Sequence, residues 1–544
     1  MSARIVAALA ALLLTIGVAP ATAQARPKPE LASVTLHAAT TRLGMDGTSR
    51  LWLRGRMSDG RHADLRRASL EYTSSNPAVA VTEGSALRAG TVTAGQTTIT
   101  ARVTLDGVTR ADDLAITVLP APARPFRHRY HQTLTMKMFL ADNAGRVSLT
   151  FEQGLDVVKK VDNLTRGIPK IFYLVGWQYD GHDTGYPAWD VVNPRLKRAE
   201  DASALDSLRW FMREARRYHT TISFHINMLD ANPSSPLWNT YLERDVIARN
   251  ADGTLKKYRW GYPISYTLEW NAGLAQQRID KLIDLVDLRR VGTVHIDAFH
   301  QYIPGFGTEP ISPYHGITTN QEIATQKKIF RYWRDRGVDV TSELTYSYRK
   351  DPMLGLQPMA WHFRNVDPMA VPPTLHIGGK GGDPRFGGSM QGESLIRREP
   401  VALGGFLTEF ATSTLLWYYL NRLDRLSDQG GVVTFSDGVT SANVDGKLVV
   451  RRGDVTLRDG DDLLVPALWK RCELIAYSRA GYSGRAWTLP AEWRRVRAVD
   501  VYAIGLGGLT PVRAKVPVTG GRVTLDLGAD TAVTLVPHGA RPRH

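Results

Sequence analysis

Val294-His295-Ile296-Asp297-Ala298-Phe299-His300 and, one helix further on, Val340-Thr341-Ser342-Glu343-Leu344-Thr345-Tyr346 decide how this chain folds. Each is a short run of apolar or small residues that stops on one carboxylate, which suits a buried parallel strand. The stretch between them, Gln321 to Arg336, has helical periodicity, so the pair reads as strand, helix, strand. Outward from here the rhythm repeats, with strands expected at Leu134 to Leu140, Lys170 to Val175, Thr221 to Ile226, Thr293 to Ile296 and Asp339 to Ser342, and a weaker sixth at Met359 to Phe363. Helices are expected near Glu152 to Leu164, Ala202 to Tyr218 and Ala272 to Leu288. Repeated βα units with polar and aromatic residues just after each strand favour a (β/α)8 TIM barrel over a doubly wound sheet. Strands seven and eight have no clear place, because a glycine-rich loop at Gly378 to Gly388 is soon followed by an apolar helix at Phe410 to Leu423.

The flanks read differently. Residues 31 to 118 show period-two alternation, as in Ser33-Val34-Thr35-Leu36-His37, Arg50-Leu51-Trp52-Leu53-Arg54 and Thr97-Thr98-Ile99-Thr100-Ala101-Arg102-Val103, which predicts a small β-sandwich. The segments Tyr72 to Val81 and Ala89 to Gly95 resemble bacterial immunoglobulin-like modules, so this part is expected to space or attach rather than catalyse. Leu119 to Pro125 reads as a linker, and from about Gln429 the alternation returns as a C-terminal β-sandwich. The expected organisation is a signal peptide at 1–25, an Ig-like sandwich with linker at 26–125, a barrel at 126–428 and a C-terminal sandwich at 429–544.

The leader carries Arg4, an apolar run from Ile5 to Val18 and small residues ending at Ala25, the layout of a secretory signal peptide cleaved after Ala23 or Ala25. A secreted, soluble, monomeric protein without a membrane span is expected, as no later stretch is apolar over the length of a bilayer. The single cysteine, Cys472, has no intramolecular partner and reads as a small buried hydrophobe. The formal charge of +15 comes from 68 basic and 53 acidic residues. The arginines are dispersed in pairs such as Arg289-Arg290 and Arg397-Arg398, without a basic tract or a nucleic-acid motif, so a solvated Arg-rich surface is expected and nucleic acid is not.

In a barrel the strand ends open into one cup. Carboxyls on neighbouring strands about 4.8 Å apart can reach the ~5 to 5.5 Å separation of retaining glycosidases, where one attacks and the other protonates. That points to Asp297 and Glu343 as the catalytic pair. The second strand delivers Trp177, Gln178, His182 and Asp183, which offer hydrogen bonds and a stacking face to a sugar, with glycines that let the loop come close. The third delivers His225 and Asn227, which share a face by alternation. A metal centre would draw on His225, His295, Asp297 and His300, but no HExxH or comparable spacing supports one, and no cofactor is expected.

The order Gly176-Trp177-Gln178, Gly181-His182-Asp183, His225-Ile226-Asn227, Asn232-Pro233, Ile296-Asp297 and Ser342-Glu343 resembles the barrel of endo-α-N-acetylgalactosaminidases, glycoside hydrolase family 101, and the related family 129. The resemblance covers about residues 130 to 365, and its most specific element is the Gln178-x-x-Gly181-His182-Asp183 loop. It implies retaining double displacement on α-linked N-acetylgalactosamine of mucin-type O-glycans, with Asp297 as nucleophile and Glu343 as acid/base. It also implies sugar binding by His182 and Asp183, and an aromatic lid at Trp260 and Tyr262, where the family has two tryptophans. His300 is expected to join the substrate-binding set, and Trp189 to stand near the lid. Endo-action releasing Gal-β1,3-GalNAc is expected ahead of exo-action. Another α-glycosidase and a non-catalytic carbohydrate-binding surface protein are the competing readings.

Overall fold

In the computed structural model, residues 28–90, 93–299, 310–344 and 382–540 are described, with 356, 360–362, 368–370, 373–374 and 542. The expected signal peptide and His300 lie outside them. Six strands form one parallel sheet: β1 (Leu134–Phe139), β2 (Lys170–Val175), β3 (Thr220–Asn227), β4 (Thr293–Asp297), β5 (Asp339–Leu344) and β6 (Ala360–His362). Their order in space is their order in sequence, with no reversal. That consecutive order belongs to a curling barrel wall, since a doubly wound sheet changes direction at a switch point. Every residue of β1 and β2 is buried, as expected of strands covered on both faces.

The helices start where their caps are. In α1 (Phe151–Leu164) and α4 (Thr319–Asp335), Thr150 and Thr318 form capping boxes with Gln153 and Gln321. In α2 (Ala204–Ala215), Ser203 accepts from the Asp206 amide. The third long helix, α3, spans Leu274–Leu285. Buried faces such as Val157, Val158 and Val161 of α1 and Phe211 of α2 join the strands in one core.

The N-terminal part is a two-sheet sandwich: one sheet carries the strands Leu31–Ala38, Thr48–Met57, Ala86–Ala89 and Ala80–Glu83, the other Arg42–Met45, Val108–Pro122, Gly95–Leu105 and Ser69–Ser74. Leu36, Leu51 and Leu87 of the first meet Ile99, Ala101 and Ile116 of the second. The expected linker at Leu119 to Pro125 is corrected here, because its strand runs to Pro122 and pairs in parallel with Arg42–Met45. The prolines are tolerated because the register shifts between Gly44 and Met45, where Leu119 and Pro122 are their partners.

From Arg425 to Pro537 the chain builds one twelve-stranded antiparallel path folded over two cores, around Val433, Val450 and Tyr477 and around Trp487, Val523 and Leu535. Cys472 corrects a second expectation: it is exposed, in a turn where it adopts φ 59°.

Both flanks are bonded to the part that holds the parallel sheet. Arg166, after α1, forms a buried ion pair with Glu473 at 3.0 Å, and Thr534 donates to the same carboxylate. Asp46 of the N-terminal sandwich, nearly buried, accepts from Arg331 of α4 at 2.7 Å and from Arg88 of its own domain at 3.3 Å, with Arg334 at 4.0 Å. No helix among the described residues is long and apolar enough to cross a membrane.

Candidate active site

Ile296 of β4 lies opposite Ser342 of β5 in parallel register, so Asp297 and Glu343 leave the sheet side by side. A group that sequence reasoning overlooked stands between them. Lys137, in the middle of the apolar β1, places Nζ 3.2 Å from Glu343 Oε1 and 3.9 Å from Asp297 Oδ1. Its side chain is only 5% exposed. Burial alone would lower the Lys137 pKa, but Glu343 and Asp297 reverse the effect and hold it above the ordinary lysine range, so it stays an ammonium. Burial, and then the negative charge of Glu343, push Asp297 well above the usual carboxylate range, with Lys137 opposing them. The protonation of Asp297 is therefore coupled to the charge on Glu343.

His225 and Asn227 do share a face of β3, and both line the same cavity of about 370 Å³ as Asp297, Glu343 and Lys137. His225 is buried, and burial followed by the nearby Lys137 charge drives its pKa far below the usual histidine value, so it is neutral. Its Nε2 is 3.8 Å from Asp297 Oδ2, and neither ring nitrogen has a hydrogen-bond partner. Asn227 donates to Asp230 Oδ2 at 2.8 Å and leaves Asp230 Oδ1 unpaired. Burial raises Asp230 well above its ordinary pKa. Polar atoms buried without partners at a cavity wall are costly, and hydroxyls of a bound ligand would satisfy them.

His182 and Asp183 reach the cavity because the loop after β2 folds tightly over the end of β1. A Cβ on Gly176 (φ 76°) would stand 2.1 Å from the Ala141 carbonyl oxygen, and one on Gly181 (φ 145°) 2.0 Å from that of Asp142. Only glycine fits there. His182 Nε2 and Asp183 Oδ1 are 3.4 Å apart, and burial raises the Asp183 pKa.

Trp177, Gln178, Tyr262 and Trp189 are not among the residues lining this cavity, which corrects their expected place at the sugar. Gly176 turns the chain so that Trp177 is fully buried against Phe224, ring centroids 4.6 Å apart, and donates to the His225 carbonyl. Gln178 is buried and bridges to Val192. Tyr262 packs on Trp238 at 5.0 Å, and Trp189 lies buried under Arg278. Trp260 remains at the mouth, 47% exposed, but its aromatic companion is Tyr258, with ring centroids 5.6 Å apart. Gln391 and Glu393 also line the cavity and come from beyond the glycine-rich loop.

Among the described residues, two sets of side chains stand close enough to hold a metal ion, His182 with Asp183 and His225, and His225 with His295 and Asp297. The second set holds three of the four residues that the sequence offered for a metal, though no ligand motif marks them. His295 is neutral through burial and pairs with Thr341 Oγ1 at 3.0 Å.

Residues 113–351 match the family model of endo-alpha-N-acetylgalactosaminidases. The matched segment contains Asp297, Glu343, Lys137 and the histidines of the cavity. Among solved structures, the α-N-acetylgalactosaminidase NagBb from Bifidobacterium bifidum in complex with GalNAc is 12% identical, with 78% of this chain and 94% of that chain covered and a TM-score of 0.44. The maltogenic amylase from S. marinus is 8% identical, covering 93% of this chain and 82% of its own, at a TM-score of 0.39. An α-galactosidase from Lactobacillus brevis is 12% identical over 95% and 75%, at 0.36. These likenesses are too distant to carry an argument; the match over residues 113–351 supports a glycosidase.

Proposed function

We propose that this glycoside hydrolase cleaves α-linked N-acetylgalactosamine from mucin-type O-glycans with retention of configuration. The observation that carries the reading is the placement of Asp297 and Glu343 on adjacent parallel strands, in one cavity, on either side of one ammonium group. A double displacement needs one ionised and one protonated carboxyl, and repulsion between two neighbouring negative charges favours that arrangement. Asp297 attacks the anomeric carbon while Glu343 protonates the departing oxygen. Glu343 then draws a proton from water, which releases the sugar from Asp297. Lys137 donates to Oε1 of Glu343, so the transferable proton belongs on Oε2. His182, Asp183, His225 and Asn227 bind ring hydroxyls, Trp260 with Tyr258 covers the apolar face, and Trp177, Gln178 and Tyr262 support them from behind.

The same proposal includes an export signal at residues 1–25, an Ig-like identity for the N-terminal sandwich, closure of the six strands into an eight-stranded barrel, and the boundaries 26–125, 126–428 and 429–544. Action is on the monomer. Endo-action remains the preferred form, since Tyr262 and Trp189 lie away from the cavity and leave the mouth to Trp260 and Tyr258.

The test compares aryl α-GalNAc with aryl Gal-β1,3-α-GalNAc on the wild type, Asp297→Ala and Glu343→Ala. Asp297→Ala should be inactive on both. Glu343→Ala should keep activity on good leaving groups and gain more with azide. Equal losses on all leaving groups, with no azide effect, would overturn the roles. Faster release from the monosaccharide would overturn endo-action alone.

A further inference from the structure

The strand Thr48–Met57 has a second face that the glycosidase reading leaves unused. Its inward residues Ser49, Leu51 and Gly55 are buried, while Arg50, Trp52, Arg54 and Arg56 are all exposed. In an extended strand, alternate side chains project on the same side about 6.8 Å apart, so these four form a row about 20 Å long. The neighbouring strand Leu31–Ala38 adds uncharged or weakly basic groups in register: His37 opposite Trp52, Thr35 opposite Arg54 and Ser33 opposite Arg56. His62 pairs with Arg56 from the other side. Trp52 is 38% exposed and stacks on His37 with ring centroids 5.5 Å apart and planes 18° from parallel. No carboxylate occupies any of these positions, and none of the three arginines has an ion pair among the described residues.

The cavity is lined differently: among the described residues the carboxyl groups of Asp183, Asp230, Asp297, Glu343 and Glu393 stand there with Lys137. The basic, aromatic face is separate from it, and an anionic polymer is drawn to that face.

We propose that the outer face of the strand Thr48–Met57 is a docking surface for an acidic glycan, a chain bearing sulfate or carboxylate groups. The arginines fork onto the anions and Trp52 stacks on a sugar ring between them. A row of fixed charges with an aromatic plate inside it matches a polymer whose anions alternate with apolar sugar faces. Nucleic acid is disfavoured because only one stacking ring is offered, where single-strand binders present several, and no element on this face is shaped to enter a groove. The enzyme would hold the acidic part of a heterogeneous glycoprotein coat while its cavity acts on neutral sugars. This surface is independent of the proposed sugar specificity, since none of its residues lines the cavity.

The test measures binding of the full chain to immobilised heparin and to chondroitin sulfate at 0.15 M salt, with single-stranded and duplex DNA of matched charge alongside. The variants are Arg50→Ser/Arg54→Ser/Arg56→Ser, Trp52→Ala, and Arg289→Ser/Arg290→Ser as a control with equal or smaller loss of charge per site. Binding to the sulfated glycans should fall about tenfold or more in the triple variant, and less in Trp52→Ala, as removed anion contacts flatten the salt dependence. The control should bind as the wild type does. All variants should keep the wild-type melting temperature and their turnover of a small aryl glycoside. Equal loss in the control, equal or tighter binding to DNA, or unchanged glycan binding in the triple variant would each overturn the proposal. The binding readout stands even if the sugar cleaved proves different.

Discussion

Replacing Lys137 with methionine removes the ammonium that stands between Asp297 and Glu343 while keeping a side chain of similar length. Two charges about 4 Å apart at an effective dielectric of about 20 interact by ~4 kcal/mol, and one pKa unit corresponds to about 1.4 kcal/mol. Asp297 and Glu343 are 18% and 24% exposed, so solvent screens part of this, and a shift of about one to two units is expected. The sign is fixed: the ammonium favours the ionised carboxyls, so its loss raises both pKa values of the pair. The acid limb of the kcat/KM profile reports ionisation of the nucleophile, and the alkaline limb reports loss of the proton from the acid. Both should move to higher pH in Lys137→Met, and Lys137→Arg should restore them most of the way. The assay is the pH profile on an aryl glycoside, with the infrared band of protonated carboxyl, referenced to Asp297→Asn, as a readout that needs no turnover. A fall in rate with both limbs and the band unmoved would refute the electrostatic role and leave Lys137 as packing.

Three further outcomes follow from other parts of the chain. Arg166→Met strands Glu473 in a buried interface and should cost about 3 to 5 kcal/mol in urea unfolding, while Arg166→Met/Glu473→Met should recover much of it. Gly176→Ala forces the loop off the end of β1 and should lower kcat/KM about tenfold or more, together with the melting temperature, because its Cβ would meet the Ala141 carbonyl in a backbone conformation that alanine disfavours. Burial pushes Asp339, at the start of β5, up to about 6 despite amide and Tyr130 hydrogen bonds, so the folded state binds its proton more tightly than the unfolded state does. The stability this contributes is complete below the unfolded pKa near 4 and is lost as pH rises through 6, so Asp339→Asn should flatten the stability profile between those limits.

The two carboxylates were readable because each closes a short apolar run, and a strand end is where a barrel exposes side chains. The six strand positions were readable from the same rhythm. Lys137 left a signal that went unused: a lone lysine inside Leu134-Thr135-Met136-Lys137-Met138-Phe139 must find negative partners if that strand is buried. Trp177 reads as a loop aromatic free to stack on a sugar, whereas Gly176, with its positive φ, turns the chain so that the ring is buried. Tyr262 and Trp189 failed for a different reason, since an aromatic residue in a loop gives no clue to whether it faces the cavity or the nearest helix. Gln391 and Glu393 could not be assigned at all, because they return to the cavity after a long glycine-rich segment without periodicity. Residue type alone places Cys472 in the core, whereas it sits exposed in a turn with a left-handed backbone.

The bond between Asp46 and Arg331 bears on how this enzyme can be trimmed. An appended module on a loose tether can be deleted without consequence for its neighbour. Here deletion would strip the counter-charge from a helix that leads directly into the strand carrying Glu343, leaving Arg331 and Arg334 facing each other across an uncovered surface. A shortened enzyme made for activity work should therefore replace one of those arginines with a neutral residue, or it will carry two uncompensated like charges on the helix that precedes the Glu343 strand.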